Sequence, residues 1–392
     1  MGLRCPCRMT WKIKTLGDVC EKGSSNVSFS KIKEEDGKYP IYGAKGFIKN
    51  ISFYHQDKDY ISIIKDGAGI GRINFREKYS SVIGTLQYLI PTPEINIKYL
   101  YYFLLGIDFL KYGQGAAIPH IYYKDYSKEN ILVPPLLVQK EIVSILDKAF
   151  EKISKARENA ERNLKNSKEV FESYLQSVFE NKGDGWEEKT LGKIAKVIGG
   201  YPFKSSNFRK QGKYQVIRMG NVRHGFIRPN KNPVFIEDLE DSVLKKALLL
   251  KNDVIITQTG TKKKRDYGFT TIIKEKNYLL NQRIAAIRFS KEYLSKFFLY
   301  YSWTNLFRDQ YFSNETGTVG QGNVGIGAIK NANIPFLSMK KQEIIVSNID
   351  RVIDKTKKLE QIYTQKLENL KELNQSILQK AFKGELTESL DE

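Results

Sequence analysis

Apolar residues recur at alternating steps of three and four along two long segments of the chain, neither of which contains proline or glycine. The first series is Ile142, Leu146, Ala149, Ile153, Ala156, Ala160, Leu164, Ser167, Phe171, Tyr174 and Val178. The second is Ile345, Ile349, Val352, Thr356, Leu359, Tyr363, Leu367, Leu370, Asn374, Ile377 and Ala381. This spacing predicts a coiled-coil seam on each of two long helices, with one stutter at the same place in both.

Each seam is too narrow a stripe for a helix inside a globular core, so each helix needs a partner helix. The other series is the obvious partner. Because a globular region separates the two helices in the chain, antiparallel pairing is the simplest arrangement. About forty residues of helix would make a rod of roughly 60 Å.

The chain is an internal repeat. The segment Gln139–Asp147 (QKEIVSILD) recurs as Gln342–Asp350 (QEIIVSNID), at the start of each long helix. Ahead of each globular part, Trp11–Gly17 (WKIKTLG) recurs as Trp186–Gly192 (WEEKTLG). Each half is therefore a globular region followed by a long helix, and the second globular region is the longer one.

Short β-branched runs in the globular parts predict strands at Tyr60–Ile64 and Val254–Thr257, each followed by a turn with glycine. The segments Tyr99–Leu110 and Leu294–Phe307 read as helices, and prolines 134, 135 and 335 separate each domain from its long helix. We predict an α+β fold with a pseudo-twofold internal repeat. The predicted parts are domain 1 (1–135), helix 1 (136–183), domain 2 (184–338), helix 2 (339–385) and a short tail (386–392).

The charge of the chain suggests a polyanionic partner. Lys and Arg number 64 against 44 Asp and Glu, a formal net charge of +20, while 41% of the residues are apolar and 12% aromatic. The apolar content is that of a folding chain, which excludes a disordered class. The positive field would concentrate polyanions, so nucleic acid is the first partner to expect, with an inert basic surface as the alternative.

The sequence gives little indication of an export signal, a membrane span or a metal site. Met1–Thr10 lacks the apolar core of an export signal, and the longest apolar stretch is short and contains Asp108. The three cysteines are odd in number and bunched, which suits a reduced cytoplasmic protein. Cys5 and Cys7 lack a second pair of metal ligands, so we expect no metal.

No catalytic motif is found. Asp66–Gly71 is glycine-rich, but Arg72 stands in place of the third glycine of a dinucleotide fingerprint, so we read it as a tight turn. Asn232–Phe235 comes nearest to the catalytic loop of an amino-methyltransferase and does not match it. Glu187 and Lys189 have nuclease-like spacing but lie within the repeated Trp186 motif. We expect a non-catalytic chain that binds no cofactor.

Polar and basic loops follow the predicted strands in both halves. In domain 2 the candidate DNA-binding residues are Arg218, Asn221, Arg223, Lys262, Lys263, Lys264, Arg265, Gln282 and Arg283, with His224 and Asn281 beside them. In domain 1 they are Lys45, Lys49, Lys65, Arg72, Gln87 and Gln114, with Thr85 beside Gln87. Arg favours guanine, Asn and Gln favour adenine, and Lys contacts the backbone. The alternative for each is a solvated loop.

In these features the whole chain resembles the specificity subunits of type I restriction-modification enzymes. Asp253–Thr261 resembles the family's strand and glycine turn, and Asn281–Arg283 its following strand. Tyr42–Ile48 resembles its tyrosine–glycine segment, and the proline-ended loop before Gln139–Ile142 its entry to the conserved helix. Gly84–Gln87 departs from the pattern, since members more often have Asn or His there.

The resemblance implies that each domain reads one half of a split, asymmetric target in double-stranded DNA through the major groove. It implies that the helices hold two methylation subunits, which bring S-adenosylmethionine and the adenine-methylating site, and that restriction subunits can join. Which side chain of the Gly317–Gly327 loop would read a base stays open. The alternatives are a reader of a type IIB or non-cleaving defence system, a basic coiled-coil adaptor, and a nuclease with an unrecognised site.

Overall fold

The structure is a computed structural model that describes residues 11–115, 117–318 and 320–386. The chain divides into two compact units. Unit 1 comprises Met1–Arg162 and Thr364–Glu392, and unit 2 comprises Asn163–Tyr363. Cys5, Cys7 and the export-signal prediction for Met1–Thr10 lie outside the described residues, as does the predicted tail beyond residue 386.

The first half of the chain carries nine strands and four α-helices among its described residues. The strands are β1 (Lys12–Thr15), β2 (Cys20–Ser24), β3 (Tyr39–Gly43), β4 (Gly46–Ile51), β5 (Tyr60–Ile64), β6 (Ile73–Arg76), β7 (Ser81–Val82), β8 (Leu86–Pro91) and β9 (Asn130–Val133). The helices are α1 (Leu16–Val19), α2 (Ile97–Leu105), α3 (Tyr123–Tyr126) and the long α4 (Leu136–Glu180).

The second half repeats this order with insertions. Its strands are β10 (Glu187–Thr190), β11 (Ala195–Gly199), β12 (Tyr214–Ile217), β13 (Val222–Arg223), β14 (Phe226–Ile227), β15 (Phe235–Ile236), β16 (Val254–Thr257), β17 (Thr259–Thr261), β18 (Thr270–Ile272), β19 (Tyr278–Leu280), β20 (Ile284–Phe289), β21 (Gln321–Asn323) and β22 (Asn333–Phe336). Its helices are α5 (Leu191–Ile194), α6 (Asp241–Ala247), α7 (Ser295–Tyr301), α8 (Asn305–Ser313), α9 (Ile326–Asn331) and the long α10 (Met339–Phe382).

The two main sheets of each unit have the same topology, and unit 2 has two further two-stranded sheets, β13-β14 and β17-β21. A four-stranded antiparallel sheet has the order β2-β8-β5-β6 in unit 1 and β11-β20-β16-β18 in unit 2. A three-stranded sheet, β4-β3-β7 or β15-β12-β19, contains one parallel pair in each unit. The repeated Trp motif leads into β1 or β10, which pair with β9 or β22 over four residues. The predicted α+β fold with an internal repeat is confirmed.

The central strand of each large sheet is covered on both faces. In β5, Ile61 and Ile63 join the core that includes α2, whereas Tyr60 and Ile64 pack on the other face with Tyr88. In β16 the alternate residues divide between two cores in the same way. Because both faces are buried, these strands read as continuous apolar runs. The sequence predicted β5 and β16 with the same first and last residues as the structure shows.

Neither of the two shorter predicted helices runs unbroken to its predicted end. The segment predicted at Tyr99–Leu110 is α2, which is capped by the Asn96 side chain and gives way after Leu105 to a separate 3₁₀ turn at Phe109–Tyr112. The segment predicted at Leu294–Phe307 is divided into α7 and α8. The hydroxyl of Ser302 donates to the Leu299 carbonyl, and that of Thr304 to the Tyr301 carbonyl, so local side-chain bonds interrupt the helix.

The two long helices carry the predicted seams. Every seam position is buried or partly buried except Leu359, which is 42% exposed. The polar seam residues Ser167 and Thr356 turn their hydroxyls back onto the carbonyls of Asn163 and Val352. Unit 1 holds the first part of α4 with the end of α10, and unit 2 holds the end of α4 with the first part of α10. Antiparallel helices divide between two domains in this way.

A buried glutamine anchors each long helix to its domain. Gln139 is fully buried, accepts from the Asn96 N–H at 2.7 Å and donates to the carbonyls of Glu94 and Pro134. Gln342 repeats these bonds with the Leu294 N–H and the carbonyls of Glu292 and Leu337. The repeated Gln motif therefore satisfies backbone groups where domain and helix meet.

A carboxylate two turns further along makes a second attachment. Asp147 accepts from Lys98 at 2.8 Å and from the Tyr102 hydroxyl at 2.6 Å. Asp350 accepts from Lys296 at 2.7 Å and from the Tyr300 hydroxyl. The repeated QxxIVSxxD motif thus encodes the same attachment in both halves.

Candidate DNA interface

Three chain segments meet at the end of the central strand in each unit. In unit 1, the Lys65 N–H after β5 donates to the Thr85 carbonyl before β8 at 3.0 Å, and the Ile121 N–H donates to the Lys65 carbonyl at 2.9 Å. In unit 2, the Gln258 N–H donates to the Arg283 carbonyl, and the Val324 N–H to the Gln258 carbonyl, both at 2.9 Å. Lys65 thus corresponds to Gln258, and Thr85 to Arg283. We call this region the strand-end surface of each unit.

The third of these segments is a loop closed by a matched pair of backbone bonds. Gln114 and His120 exchange N–H to carbonyl bonds of 2.9 and 2.8 Å, and Thr316 and Asn323 do so at 2.8 Å each. Gln114, one of the predicted contacts, is exposed, and its amide donates to Asp125 at 3.2 Å. The sequence did not show which residues of the second loop correspond to those of the first. The correspondence follows only from the backbone bonds that close each loop.

Unit 1 presents its predicted cations on neighbouring turns. Lys45, in the turn between β3 and β4, and Arg72, in the turn between β5 and β6, are exposed and line one cleft of about 420 Å³. Lys49 is partly buried and donates to the Lys33 carbonyl at 3.4 Å. Lys65 is paired with Asp66, so its charge is partly compensated. Lys45 and Arg72 are therefore the more available cations of this group.

Unit 2 presents a denser basic loop. Lys262, Lys263, Lys264 and Arg265 are all exposed on the turn after β17. A side chain at the end of the loop fixes its conformation, since Asp266 accepts from the Thr261 N–H at 2.6 Å. The guanidinium of Arg265 lies over the Phe312 ring and Lys262 lies 3.9 Å from the nearly buried Glu315, so the two ends of the loop are tethered.

Gln282 and Arg283 form the exposed turn that enters β20. Arg283 has a φ of 68°, in the left-handed region that a side chain rarely adopts. Backbone strain of this kind collects at functional sites, where surrounding bonds hold it. The bond from Gln258 to the Arg283 carbonyl is such a bond.

Two of the predicted arginines are partly engaged inside their own domain. Arg218 donates to the Asn232 carbonyl, and Arg223 donates to the Val222 carbonyl at 2.6 Å. The Arg223 guanidinium also lies 5.5 Å from the centre of the Phe269 ring. Both side chains are partly buried. They keep unused donors but are less accessible than Arg283.

Gln87 and Asn221 do not fit as DNA contacts, which corrects the prediction for these two residues. Gln87 is 5% exposed and accepts from the buried Tyr126 hydroxyl at 2.8 Å. Asn221 is 3% exposed, donates to the carbonyls of Arg228 and Lys231 at 2.9 Å, and accepts from the Arg218 N–H. Both buried amides are bonded to groups of their own domain, as buried polar side chains must be.

His224 lies beside the predicted contacts in the sequence, and its surroundings shift its pKa strongly. Burial, and then the positive charge of Arg308, lower the pKa of His224 from 6.5 to about 4. The Arg308 guanidinium donates to its Nε2 at 3.1 Å, which requires the neutral ring. Arg308 was not predicted, because it lies on α8 and only the fold brings it to His224. At neutral pH His224 is therefore an uncharged acceptor.

The described residues show neither a metal-binding cluster nor a reactive thiol. Among them, no group of three or more His, Cys, Asp or Glu side chains is placed to hold a metal ion. Cys20 is a buried thiol whose pKa burial raises to about 12, which makes it unreactive. The glycine-rich segment at 66–71 is a turn between β5 and β6. No helix in the described ranges is both long and apolar enough to cross a membrane.

The family model of the type I restriction modification DNA specificity domain matches residues 9–162 and again residues 183–369. The chain belongs to this family. One match falls on each half of the chain, in agreement with the internal repeat. The family also favours the DNA reader over the coiled-coil adaptor and the nuclease.

Curated members of the family are similar over most of the chain. The MjaVIII specificity subunit of Methanocaldococcus jannaschii is 27% identical over 92% of this chain and 91% of its own. The EcoKI specificity subunit of Escherichia coli is 22% identical over 70% of this chain and 61% of its own.

Solved structures show the same fold. A chain from a structure of complex assembly and conformational transition in the type I R-M system has a TM-score of 0.75 at 16% identity, covering 96% of this chain and 98% of that one. The HsdS subunit from Thermoanaerobacter tengcongensis has a TM-score of 0.58 at 17% identity, with the same coverage. The predicted type I specificity subunit with two target-recognition domains is confirmed.

Proposed function

We propose that each unit reads one half of a bipartite, asymmetric DNA target with its strand-end surface, and that the chain supplies no bond-making group to the reaction. The two surfaces share one backbone frame but present different side chains. Unit 1 offers Lys45 and Arg72, whereas unit 2 offers four consecutive cations and Arg283. Identical frames with different side chains would give two unlike half-sites.

The observation that carries the proposal is the repeated junction at the central strand. In both units the residue after that strand is bonded on one side to the turn before the neighbouring strand and on the other to a closed loop. Arg283 of this junction is exposed and held in a strained conformation. An exposed arginine on a turn whose backbone is held in place suits bidentate contact with guanine in the major groove.

The long helices are proposed to bind two methylation subunits, one per repeat, and restriction subunits where the complex contains them. The outer faces of the helices are exposed and rich in charged residues. S-adenosylmethionine and the adenine-methylating site would belong to the methylation subunits. This proposal is supported by the family and by the repeated helix attachments at Gln139 and Gln342.

The test is methylation of a randomised DNA library by the complex of this chain with its methylation subunits and S-adenosylmethionine. Arg283→Ala should relax base preference within one half-site by roughly tenfold and leave the other half-site unchanged. Arg162→Ala removes an exposed arginine on α4 and should keep both preferences.

A uniform loss over all sequences with Arg283→Ala would instead make Arg283 a backbone contact. Methyl transfer by the chain alone, at a rate matching the complex, would contradict the absence of a catalytic group.

A further inference from the structure

The closed loops of the two strand-end surfaces have matching ends and different tips. Each begins with a glycine at positive φ, Gly115 at +90° and Gly317 at +119°. A Cβ on Gly115 would lie 2.8 Å from the Ile118 carbonyl oxygen, and one on Gly317 would lie 2.2 Å from the Gln321 carbonyl oxygen. The same close approach of backbone therefore holds Ile118 and Gln321 in equivalent places.

The register of each loop against the central strand supports this equivalence. In unit 1, the Gly67 N–H donates to the Pro119 carbonyl at 2.8 Å, one residue beyond Ile118. In unit 2, Gly260 pairs with Gly322, one residue beyond Gln321. The second loop has one more residue between its glycine and the tip.

Both tip side chains face solvent, on loops that are paired with segments carrying lysines. Ile118 is 68% exposed, and it lies two residues from His120, which pairs with Asp66 next to Lys65. Gln321 is exposed and pairs with Thr261, directly before the lysines, and the Lys262 N–H donates to the Gly320 carbonyl at 3.2 Å. If the cations contact phosphates, the tips lie where bases are within reach.

We propose that Ile118 and Gln321 are equivalent base-reading side chains, Ile118 contacting a thymine methyl group and Gln321 the N6 and N7 edge of adenine. Apolar side chains recognise thymine by its methyl group, and a glutamine amide both accepts from adenine N6 and donates to N7. The inference rests on the proposed function and adds the position in each domain that distinguishes the half-sites. In the Gly317–Gly327 loop it assigns a reader where the sequence alone identified none.

The experiment uses the same complex and randomised library, with modified adenines located by sequencing. Ile118→Gln should change base preference at one position of the half-site read by unit 1, by roughly tenfold, and leave the other half-site intact. Ile118→Val should keep the preference, since it keeps the apolar contact. Ile13→Gln makes the same replacement at a residue that is 69% exposed on β1, and should change neither half-site.

In unit 2, Gln321→Glu keeps the size of the side chain but removes its donor. Because a carboxylate accepts from cytosine N4 and cannot donate to adenine N7, the preference at one position should move from adenine to cytosine. The half-site read by unit 1 should not change.

Unchanged preferences in both Ile118→Gln and Gln321→Glu would overturn this inference, as would an equal loss over all sequences. Arg283→Ala, measured in parallel, separates this result from a failure of the proposed function. If Arg283→Ala relaxes a half-site while the tip variants do not, the strand-end surface reads DNA without its loop tips. If Arg283→Ala also leaves the preference unchanged, the proposed surface itself is wrong.

Discussion

Side chains of the same type serve opposite purposes in this protein. Gln87 and Asn221 are buried amides that satisfy the interior, whereas Gln282 and Gln114 are exposed amides on the strand-end surfaces. A buried amide that loses its partners costs more than the net gain of the bond, because the groups left behind stay desolvated. Accessibility therefore separates structural polar residues from reading residues, and it predicts different consequences of mutation.

Asn221→Ala should destabilise unit 2 by about 1–3 kcal/mol, because the buried Asn221 amide is removed and the carbonyls of Arg228 and Lys231 and the Arg218 N–H lose their partner. Base preference of the methylation complex should not change. Urea unfolding and library methylation measure the two effects. A relaxed half-site with unchanged stability would return Asn221 to the DNA contacts.

His224 predicts an acid sensitivity of unit 2. Its pKa is about 4 when folded, against 6.5 as the ordinary value, so the unfolded chain binds the proton more readily. The contribution of His224 to the free energy of unfolding is fully present above pH 6.5. As the pH falls towards 4, the free energy of unfolding decreases by roughly 2–3 kcal/mol, because the unfolded chain takes up the proton first. His224→Gln keeps an acceptor for Arg308 without titrating, so its stability should fall less between pH 7 and pH 5. Equal decreases in parent and variant, measured by urea unfolding, would contradict the assignment.

At the scale of elements, short turns carry the charge and long regular elements hold the turns in place. The basic loop Lys262–Arg265 is held by Asp266, Glu315 and Phe312. Four adjacent cations on a fixed turn are costly unless water or a polyanion surrounds them. Phosphate is the group that such a loop suits.

Replacing Lys262, Lys263 and Lys264 by Ala should weaken DNA binding equally for all sequences. The slope of log affinity against log salt should become shallower by roughly 0.9 for each DNA phosphate that the loop no longer neutralises. Replacing Lys355, Lys357 and Lys358, which are also exposed and lie on α10, removes the same charge and should leave the slope nearly unchanged. If the two triple variants have the same slope, the loop contributes only general charge.

The sequence predicted helices and strands better than it predicted the contacts of individual side chains. The long helices, β5 and β16 follow from periodicity and composition, since apolar spacing reports burial directly. The break between α7 and α8 was missed because it depends on hydroxyls that bond their own helix. Gln87 and Asn221 were misassigned, and Arg308 missed, because partners distant in sequence decide their burial. The equivalence of Ile118 and Gln321 needed the strand register, which a one-residue difference in loop length conceals.

For the whole molecule, each unit has its own hydrophobic cores and its own strand-end surface. The two readers should therefore contribute independently to recognition. Sites without shared partners have effects that add in free energy.

Arg72→Ala and Arg283→Ala test this independence. The decrease in binding free energy in the double variant should equal the sum of the two single decreases to within about 0.5 kcal/mol. Titration of the cognate DNA with the complex measures all three. A decrease in the double variant well below that sum would mean that one domain depends on the other for binding.

The division of the long helices also determines an order of events during synthesis. Unit 2 is one unbroken stretch of chain, Asn163–Tyr363, and all of its core residues are synthesised before α10 is complete. Unit 1 needs Leu378 and Ala381, which are buried in its core, although the rest of that core was made long before. Closing so long a stretch of chain costs entropy that a prefolded unit 2 would reduce by shortening the flexible path. The domain that is translated first is therefore the one that is completed last, and until then its nascent core is exposed to chaperones and proteases.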